Sequence, residues 1–259
     1  MNAALAAFAA TLPNALIALD FDGPIAPLTL DPQQSRPVPG AVETLSALAR
    51  TGVQIAVVTG RDAETVLGLG RLHDIPGLIV SGVHGAETWH EGRLDTRTEP
   101  DGIADLRAHL PELIEEIAPE AWLEDKRLSL VVHTRRTRDP EAALAALAEP
   151  VTSAAERAGL DVHPGKMVLE IRIPNLSKAD AMGSLLATER AGALFAGDDI
   201  GDLPAFAAVR DWAGHGGRTG VTIGIGENAR VRAATDVQLE SAYELFAALG
   251  DLTERVVDH

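Results

Sequence analysis

A chain of 259 residues, 46% hydrophobic and 3% aromatic, is long enough to bury a substantial core of Ala, Leu and Val. Its formal charge of −16 excludes an extended surface for nucleic acid or an anionic membrane, because neither polyanion gains from that field; a local basic pocket for a small anion stays open. The absence of cysteine excludes disulfides, thiolate catalysis and Cys-based zinc sites. No apolar run reaches membrane-spanning length, and no Lys or Arg precedes Arg36, so the apolar start lacks the charged beginning of a secretory signal. These features predict a cytoplasmic monomer.

In chain order, the first predicted strand, 15–19, carries Leu16-Ile17-Ala18-Leu19 into Asp20-Phe21-Asp22-Gly23. A buried strand that ends in two carboxylates is costly unless something cationic occupies the site. Residues i and i+2 share a face of an extended strand, although Asp and Gly also make ordinary turns. A helix over about 40–50 opens at Pro39-Gly40 and closes at Arg50-Thr51-Gly52. The next strand, 53–58, runs into Thr59-Gly60-Arg61, where a hydroxyl, a flexible backbone and a guanidinium suit an anion. A helix over 62–71 and a strand over 78–81 follow.

Between about 99 and 175 the rhythm changes to helix (102–118), strand (Leu128–His133), helix (140–158) and strand (Met167–Ile171), which predicts a small α+β insert. Pro174-Asn175-Leu176-Ser177 then leads to Lys178 at the head of a helix over 179–190. The strand at 193–196 runs into a second acidic cluster, Gly197-Asp198-Asp199-Ile200-Gly201-Asp202. A strand at Val221–Ile225 and a helix at Ala242–Leu249 close the chain. This alternation predicts βαβ units and a mostly parallel sheet, a core of residues 1–98 and 176–259 with residues 99–175 inserted. In open α/β sheets ligands bind at the carboxyl ends of the strands, where the acidic, Thr and Lys groups all fall.

Of the 22 basic residues only Lys126, Lys166 and Lys178 are lysine. In so Arg-biased a background they are candidates for positions that need a compact point charge, with chance survival the plain alternative.

Two acidic groups, one Thr and one Lys in this chain order resemble the four motifs of the haloacid dehalogenase-like (HAD) phosphatases. The resemblance implies an α/β fold, a HAD-like Rossmannoid core with a smaller α+β cap inserted between the Thr and Lys motifs. It also implies roles. Asp20 would be the nucleophile, forming an aspartyl-phosphate. Asp22 would protonate the leaving oxygen and later activate water. Mg²⁺ would be held by Asp20, the carbonyl of Asp22 and Asp198. Thr59, Gly60 and Lys178 would bind phosphate, with Thr59 as N-cap of the next helix a parallel reading. Asp199 and Asp202 would orient metal-bound water or Lys178.

The insert adds Glu124-Asp125-Lys126, Ser129–Arg135 and Gly165–Arg172, and the core adds Gly82-Val83-His84-Gly85-Ala86-Glu87. This series is similar to the trehalose-6-phosphate phosphatases over nearly the whole chain, from about Leu16 to Leu249. That likeness implies hydrolysis of trehalose 6-phosphate to trehalose and phosphate. It places Glu124, Lys126, Arg135, Lys166 and Glu170 on the sugar hydroxyls; a salt-bridged sheet face is the other reading of any single pair. A phosphatase for another phosphorylated disaccharide or pseudo-disaccharide, as in aminocyclitol biosynthesis, is the runner-up. A catalytically silent sugar-phosphate-binding protein is the reading from a different class. Its support is Pro24, which stands where the family carries Thr or Val, removes a backbone donor and restricts Gly23. Ser177-Lys178-Ala179 and Gly201 also depart from the family's Asp-Lys-Gly and Thr.

Overall fold

The computed structural model describes residues 2–29, 31–126, 128–174 and 176–257, so Asn175 of the expected connection lies outside the described residues. The chain divides into two compact units, Met1–Thr96 with Ser177–His259, and Arg97–Leu176.

The first unit opens with α1 (Ala3–Ala9), β1 (Ala15–Leu19), α2 (Ala41–Arg50), β2 (Gln54–Val58), α3 (Ala63–Gly70) and β3 (Ile79–Gly82), followed by β4 (Glu87–His90) and β5 (Arg93–Thr96). The second unit contributes α4 (Asp101–Ile117), β6 (Trp122–Asp125), β7 (Ser129–His133), α5 (Pro140–Arg157), β8 (Asp161–Gly165) and β9 (Val168–Arg172). The chain then returns to the first unit with α6 (Lys178–Leu186), β10 (Gly192–Gly197), α7 (Leu203–Ala213), β11 (Thr219–Ile225), α8 (Ala229–Ala233), β12 (Val237–Leu239) and α9 (Ala242–Val257).

The sheet of the first unit runs β12-β11-β10-β1-β2-β3-β4-β5. It is parallel from β12 through β3 and antiparallel at β4 and β5. All of β1 is buried because helices cover both of its faces. Leu16 and Ala18 pack with Met182 of α6 and Phe206 of α7. Ile17 and Leu19, alternating to the other side, pack with Phe8 of α1, Leu45 of α2 and Leu245 of α9. From β1 the chain builds outward through β2 and β3 on one side, and later through β10, β11 and β12 on the other. The carboxyl ends of β10, β1 and β2 therefore lie side by side where the strand order reverses, the customary ligand position of such sheets.

The β4–β5 hairpin was not anticipated from the sequence. It turns on Glu91 and Gly92, both at positive φ (49° and 81°), the two-residue connection that matches strand twist.

The second unit corrects the expected helix-strand-helix-strand order. It is a four-stranded antiparallel sheet, β6-β7-β9-β8, backed by α4 and α5. The expected strands are the central pair, β7 and β9. The unanticipated edges, β6 and β8, carry Glu124, Asp125, Asp161 and Pro164, residues that suppress the alternation signal and suit an edge. Leu130, Val132, Leu169 and Ile171 face the helices in a core of their own. Among the described residues no helix is long and apolar enough to cross a membrane.

Candidate active site

Asp20 follows the last residue of β1, and its amide donates to Ala196 O of β10 (2.9 Å), which fixes the strand end. Lys178 is the first residue of α6, whose cap is Ser177: Ser177 Oγ accepts from the Asp180 amide (3.3 Å). Serine thus performs the capping that an Asp before the lysine would provide. An ammonium at a helix N-terminus works against the helix dipole, so its position needs other compensation. Lys178 Nζ donates to Asp20 Oδ2 and to Asp202 Oδ1, each at 2.6 Å. The three residues are buried, Asp202 completely. Asp202 Oδ2 accepts from the amides of Asp198 (2.9 Å) and Asp199 (3.1 Å), locking the turn after β10. Asp202 therefore holds Lys178 directly, while Asp199 turns its carboxylate onto the Ile200 amide. A Cβ on Gly201 would meet nothing within 4 Å, so nothing in the surrounding packing requires glycine there.

Asp22 takes a different environment. Arg61 grips its carboxylate with both prongs, Nε to Oδ2 at 2.6 Å and Nη2 to Oδ1 at 2.7 Å. Arg61 also donates to Ser35 Oγ (3.1 Å) and Pro32 O (2.9 Å), and Ser35 Oγ donates to Asp22 Oδ1 (3.3 Å). The hydrogen bond to Asp22, opposed by burial, raises the Arg61 pKa further. Arg61 and Ser35 were not singled out as site residues; the guanidinium beside Thr59-Gly60 was the one available signal. Pro24 proves compatible with the acidic turn. The turn closes through Gly23 N to Ala26 O (2.8 Å), Ile25 N to Phe21 O (3.2 Å) and Ala26 N to Phe21 O (2.8 Å), none of which needs an N–H at residue 24.

Thr59 is buried at the end of β2, and its Oγ1 accepts from the Arg61 amide (3.2 Å). The N-cap reading of Thr59 is incorrect. α3 starts later and is capped by Asp62, whose Oδ1 accepts from the Thr65 amide (2.7 Å). The loop is braced by Val83 and His84, successive non-glycine residues in the left-handed region (φ 47° and 55°). Val83 N donates to Arg61 O (2.9 Å) and His84 N to Thr59 O (3.0 Å). A Cβ on Gly60 would lie 2.9 Å from His84 Cε1, so glycine permits this close approach.

The residues suggested for the sugar divide across the second unit's sheet. Glu124 of β6 and Glu170 of β9 both stand opposite Val131 of β7, on the face turned away from the helices. Arg135 and Lys166 are exposed and share one end of the sheet. There Thr134 joins the two connections: its amide donates to Met167 O (3.0 Å) and its hydroxyl to Pro140 O (2.9 Å). Lys126, exposed, lies at the other end, where its amide donates to Ser129 O (2.9 Å).

Asp20, Asp198 and Asp202 place carboxylate oxygens within 4.8 Å of one another. Burial pushes the Asp20 carboxyl up to about 7, partly offset by Lys178 and reinforced by Asp202. Burial, then Asp202, likewise pushes Asp198 up to about 7. For Lys178, burial works to lower its pKa, but Asp20 and Asp202 outweigh it and keep the amine protonated. One ammonium facing three carboxylates leaves a surplus of negative charge, and among the described residues Asp198 forms no ion pair. An oxygen-only donor set with excess charge fits a hard divalent cation such as Mg²⁺. Asp20 and Asp198 are the expected ligands. The carboxylate of Asp22 faces Arg61, leaving its carbonyl as the group it would offer.

Two expected results follow from this charge surplus. Because the folded pKa values of Asp20 and Asp198 lie above the ordinary 3.8, the metal-free fold should lose stability as pH rises from 3.8 through about 7. Added Mg²⁺ should recover that loss, raising the thermal midpoint more above this window than below it; a pH-independent shift would contradict the surplus. Gly23→Ala should weaken Mg²⁺ binding at least tenfold, because at φ 86° a side chain costs about 1–2 kcal/mol and the Cβ would fall 2.2 Å from Asp198 Cγ, displacing that carboxylate. Titration of the thermal midpoint with Mg²⁺ checks this.

A parallel sheet whose adjacent strand ends carry Asp20, Thr59 and Asp198, with a lysine buried against them and an α+β unit inserted in sequence, defines a HAD-like hydrolase fold. A HAD-like hydrolase from Bacteroides thetaiotaomicron superposes with a TM-score of 0.63 at 15% identity, over 93% of this chain and 99% of that one. The Aspergillus fumigatus trehalose-6-phosphate phosphatase gives a TM-score of 0.76 at 21% identity, over 96% and 97%. The trehalose-phosphatase family model matches residues 18–241. A trehalose-phosphate phosphatase of Mycobacterium leprae is 32% identical over 216 residues, which is 74% of this chain and 47% of that protein. The chain belongs to the trehalose-phosphatase family. It spans about half or less of the length of the first mycobacterial relatives it matches.

Proposed function

We propose that the chain hydrolyses trehalose 6-phosphate to trehalose and phosphate through a phosphoryl group carried on Asp20. The observation that supports this most is the buried Asp20–Lys178–Asp202 array at the end of β1, open to charge compensation beside Asp198. Lys178 holds the Asp20 carboxylate in one position and faces the incoming phosphate. Asp20 forms a bond to phosphorus as the bond from phosphorus to the sugar oxygen breaks. Asp22 delivers the proton that the sugar oxygen needs to leave as a hydroxyl. Water, relieved of a proton by Asp22, then attacks phosphorus and returns Asp20 as a carboxylate with release of phosphate. Thr59 Oγ and the Gly60 amide donate to phosphate oxygens. Arg61 holds Asp22 as a carboxylate in the free protein; transfer of its guanidinium to the arriving phosphate frees Asp22 to take up a proton from solvent, the one it then delivers to the sugar oxygen. Asp20, Asp198 and the Asp22 carbonyl would hold Mg²⁺, which would supply the charge compensation that a metaphosphate-like transition state demands.

In this reading residues 99–175 are the specificity-determining part, with Glu124, Lys126, Arg135, Lys166 and Glu170 addressing sugar hydroxyls as paired acceptors and donors. The relatives' names support the disaccharide phosphate over other esters. The silent-binder alternative loses its support, since the turn bearing Pro24 closes without the missing N–H. Phosphate release across a panel of sugar phosphates with Mg²⁺ tests the proposal: trehalose 6-phosphate should give the highest kcat/KM, and preference for another disaccharide phosphate would replace it. Lys126→Ala and Glu170→Ala should each lower kcat/KM for trehalose 6-phosphate by more than tenfold, since a charged hydrogen bond is worth about 2 kcal/mol. An aryl phosphate presents no sugar hydroxyls to these two side chains, so equal losses on that ester would refute their sugar-specific role.

A further inference from the structure

The face of the second unit's sheet turned away from its helices carries three side chains, Trp122, His133 and Arg136, that none of the roles above uses. Trp122 of β6 stands opposite His133 of β7, and their rings stack with centroids 4.5 Å apart and planes 6° from parallel. The Arg136 guanidinium lies over the same indole at 4.6 Å. His133 Nε2 is 2.7 Å from Glu124 Oε2. Glu124 is one of the two carboxylates on that face expected to accept sugar hydroxyls, and its side chain is 44% exposed. We propose that His133, seated on Trp122, is a positioning residue that orients Glu124 for sugar recognition. This role rests on the substrate reading proposed above.

The physical case starts from entropy. A half-exposed Glu on an edge strand samples several rotamers, and a ligand hydroxyl that needs one of them must bear the cost of selecting it. A donor fixed at one carboxylate oxygen removes that freedom beforehand and leaves Oε1 for the ligand. His133 can serve only if its own ring is fixed, and the stack on Trp122 fixes it. Offset aromatic contacts and an overlying guanidinium hold such rings in place. The contact to Oε2 assigns the proton to Nε2, since a carboxylate accepts only. The array thus runs Arg136, Trp122, His133, Glu124, each member limiting the next. Simple mutual packing of surface side chains would leave no dependence of sugar binding on the Nε2–H.

A double-mutant cycle separates these cases. His133→Phe keeps a ring on Trp122 and removes the donor. It is expected to raise KM for trehalose 6-phosphate about tenfold with kcat changed much less, the mark of lost ground-state binding. In a Glu124→Ala background the same substitution should change KM by less than about twofold, because the two residues act as a unit. His133→Gln, which offers an amide N–H near the place of Nε2, should recover part of the loss and serves as a second variant should Phe disturb the fold. An unchanged KM in His133→Phe overturns the role, as does a tenfold rise that persists in the Glu124→Ala background. If the wild-type protein instead prefers another disaccharide phosphate, the substrate reading fails while the cycle, run on that ester, still decides the role of His133. If it turns over no sugar phosphate, both fall.

Discussion

Asp20→Asn is expected to abolish phosphate release while the protein stays folded. An amide cannot attack phosphorus, and it cannot share in neutralising a divalent cation. The structural consequences nearly cancel. One negative charge leaves a cluster in which three carboxylates face one ammonium, and this relieves repulsion. Against that, the Asp20 oxygens both accept hydrogen bonds, from the Phe21 amide at 2.7 Å and from Lys178 Nζ at 2.6 Å. Asn can accept only one of them, and a buried donor left unsatisfied costs about 1–3 kcal/mol. Unfolding should remain cooperative with a modest shift in midpoint, and phosphate assay should find no turnover. Substantial residual activity in a folded Asp20→Asn protein would remove Asp20 as nucleophile.

Lys178→Met should fail on sugar and aryl phosphates alike, by on the order of a hundredfold or more, because both esters share the phosphoryl group that the ammonium faces. Here the structural consequences do not cancel. Methionine replaces the apolar stem of the side chain, one atom short of the ammonium, and leaves Asp20 and the fully buried Asp202 without their counter-ion. Breaking a buried pair from one side costs about 3–5 kcal/mol. Thermal unfolding should show a lowered midpoint that Mg²⁺ raises further than in the wild-type protein. A loss on trehalose 6-phosphate with aryl phosphate hydrolysis intact would place Lys178 among sugar-recognition residues instead.

The core of the fold was legible because its strands announce themselves. Leu16–Leu19, Ile55–Val58 and Ala193–Ala196 are short, buried on both faces and end in polar clusters, which marks a parallel sheet and its ligand edge at once. Legibility declined where burial was partial. The edge strands β6 and β8 mix charge, Pro and Gly, and the β4–β5 hairpin rests on backbone torsions at Glu91 and Gly92.

The site was legible as a set of charges but not as a set of pairings. Sequence order located Asp20, Asp198, Asp202 and Lys178, yet only the fold shows that Lys178 bridges Asp20 and Asp202. The grip of Arg61 on Asp22 joins residues 39 positions apart, and no local pattern encodes which carboxylate an arginine will choose. The cap reading of Thr59, offered beside phosphate binding, failed because Asp62, three residues later, is at least as good a cap and sits where α3 begins. The Trp122–His133 stack was missed because cross-strand neighbours depend on a register that the unrecognised strand β6 supplies.

The most direct test of the central claim is to capture the phosphoryl group. Asp22→Asn protein, mixed with trehalose 6-phosphate and Mg²⁺ and quenched in acid, should gain the mass of one phosphoryl group, and peptide mapping should place it on Asp20. The hydrolysis of the intermediate depends on the Asp22 carboxylate, so the adduct should outlast that of the wild-type protein. A phosphoryl group on any other residue, or phosphate released by the wild-type protein with no adduct at any quench time in either form, would contradict the account.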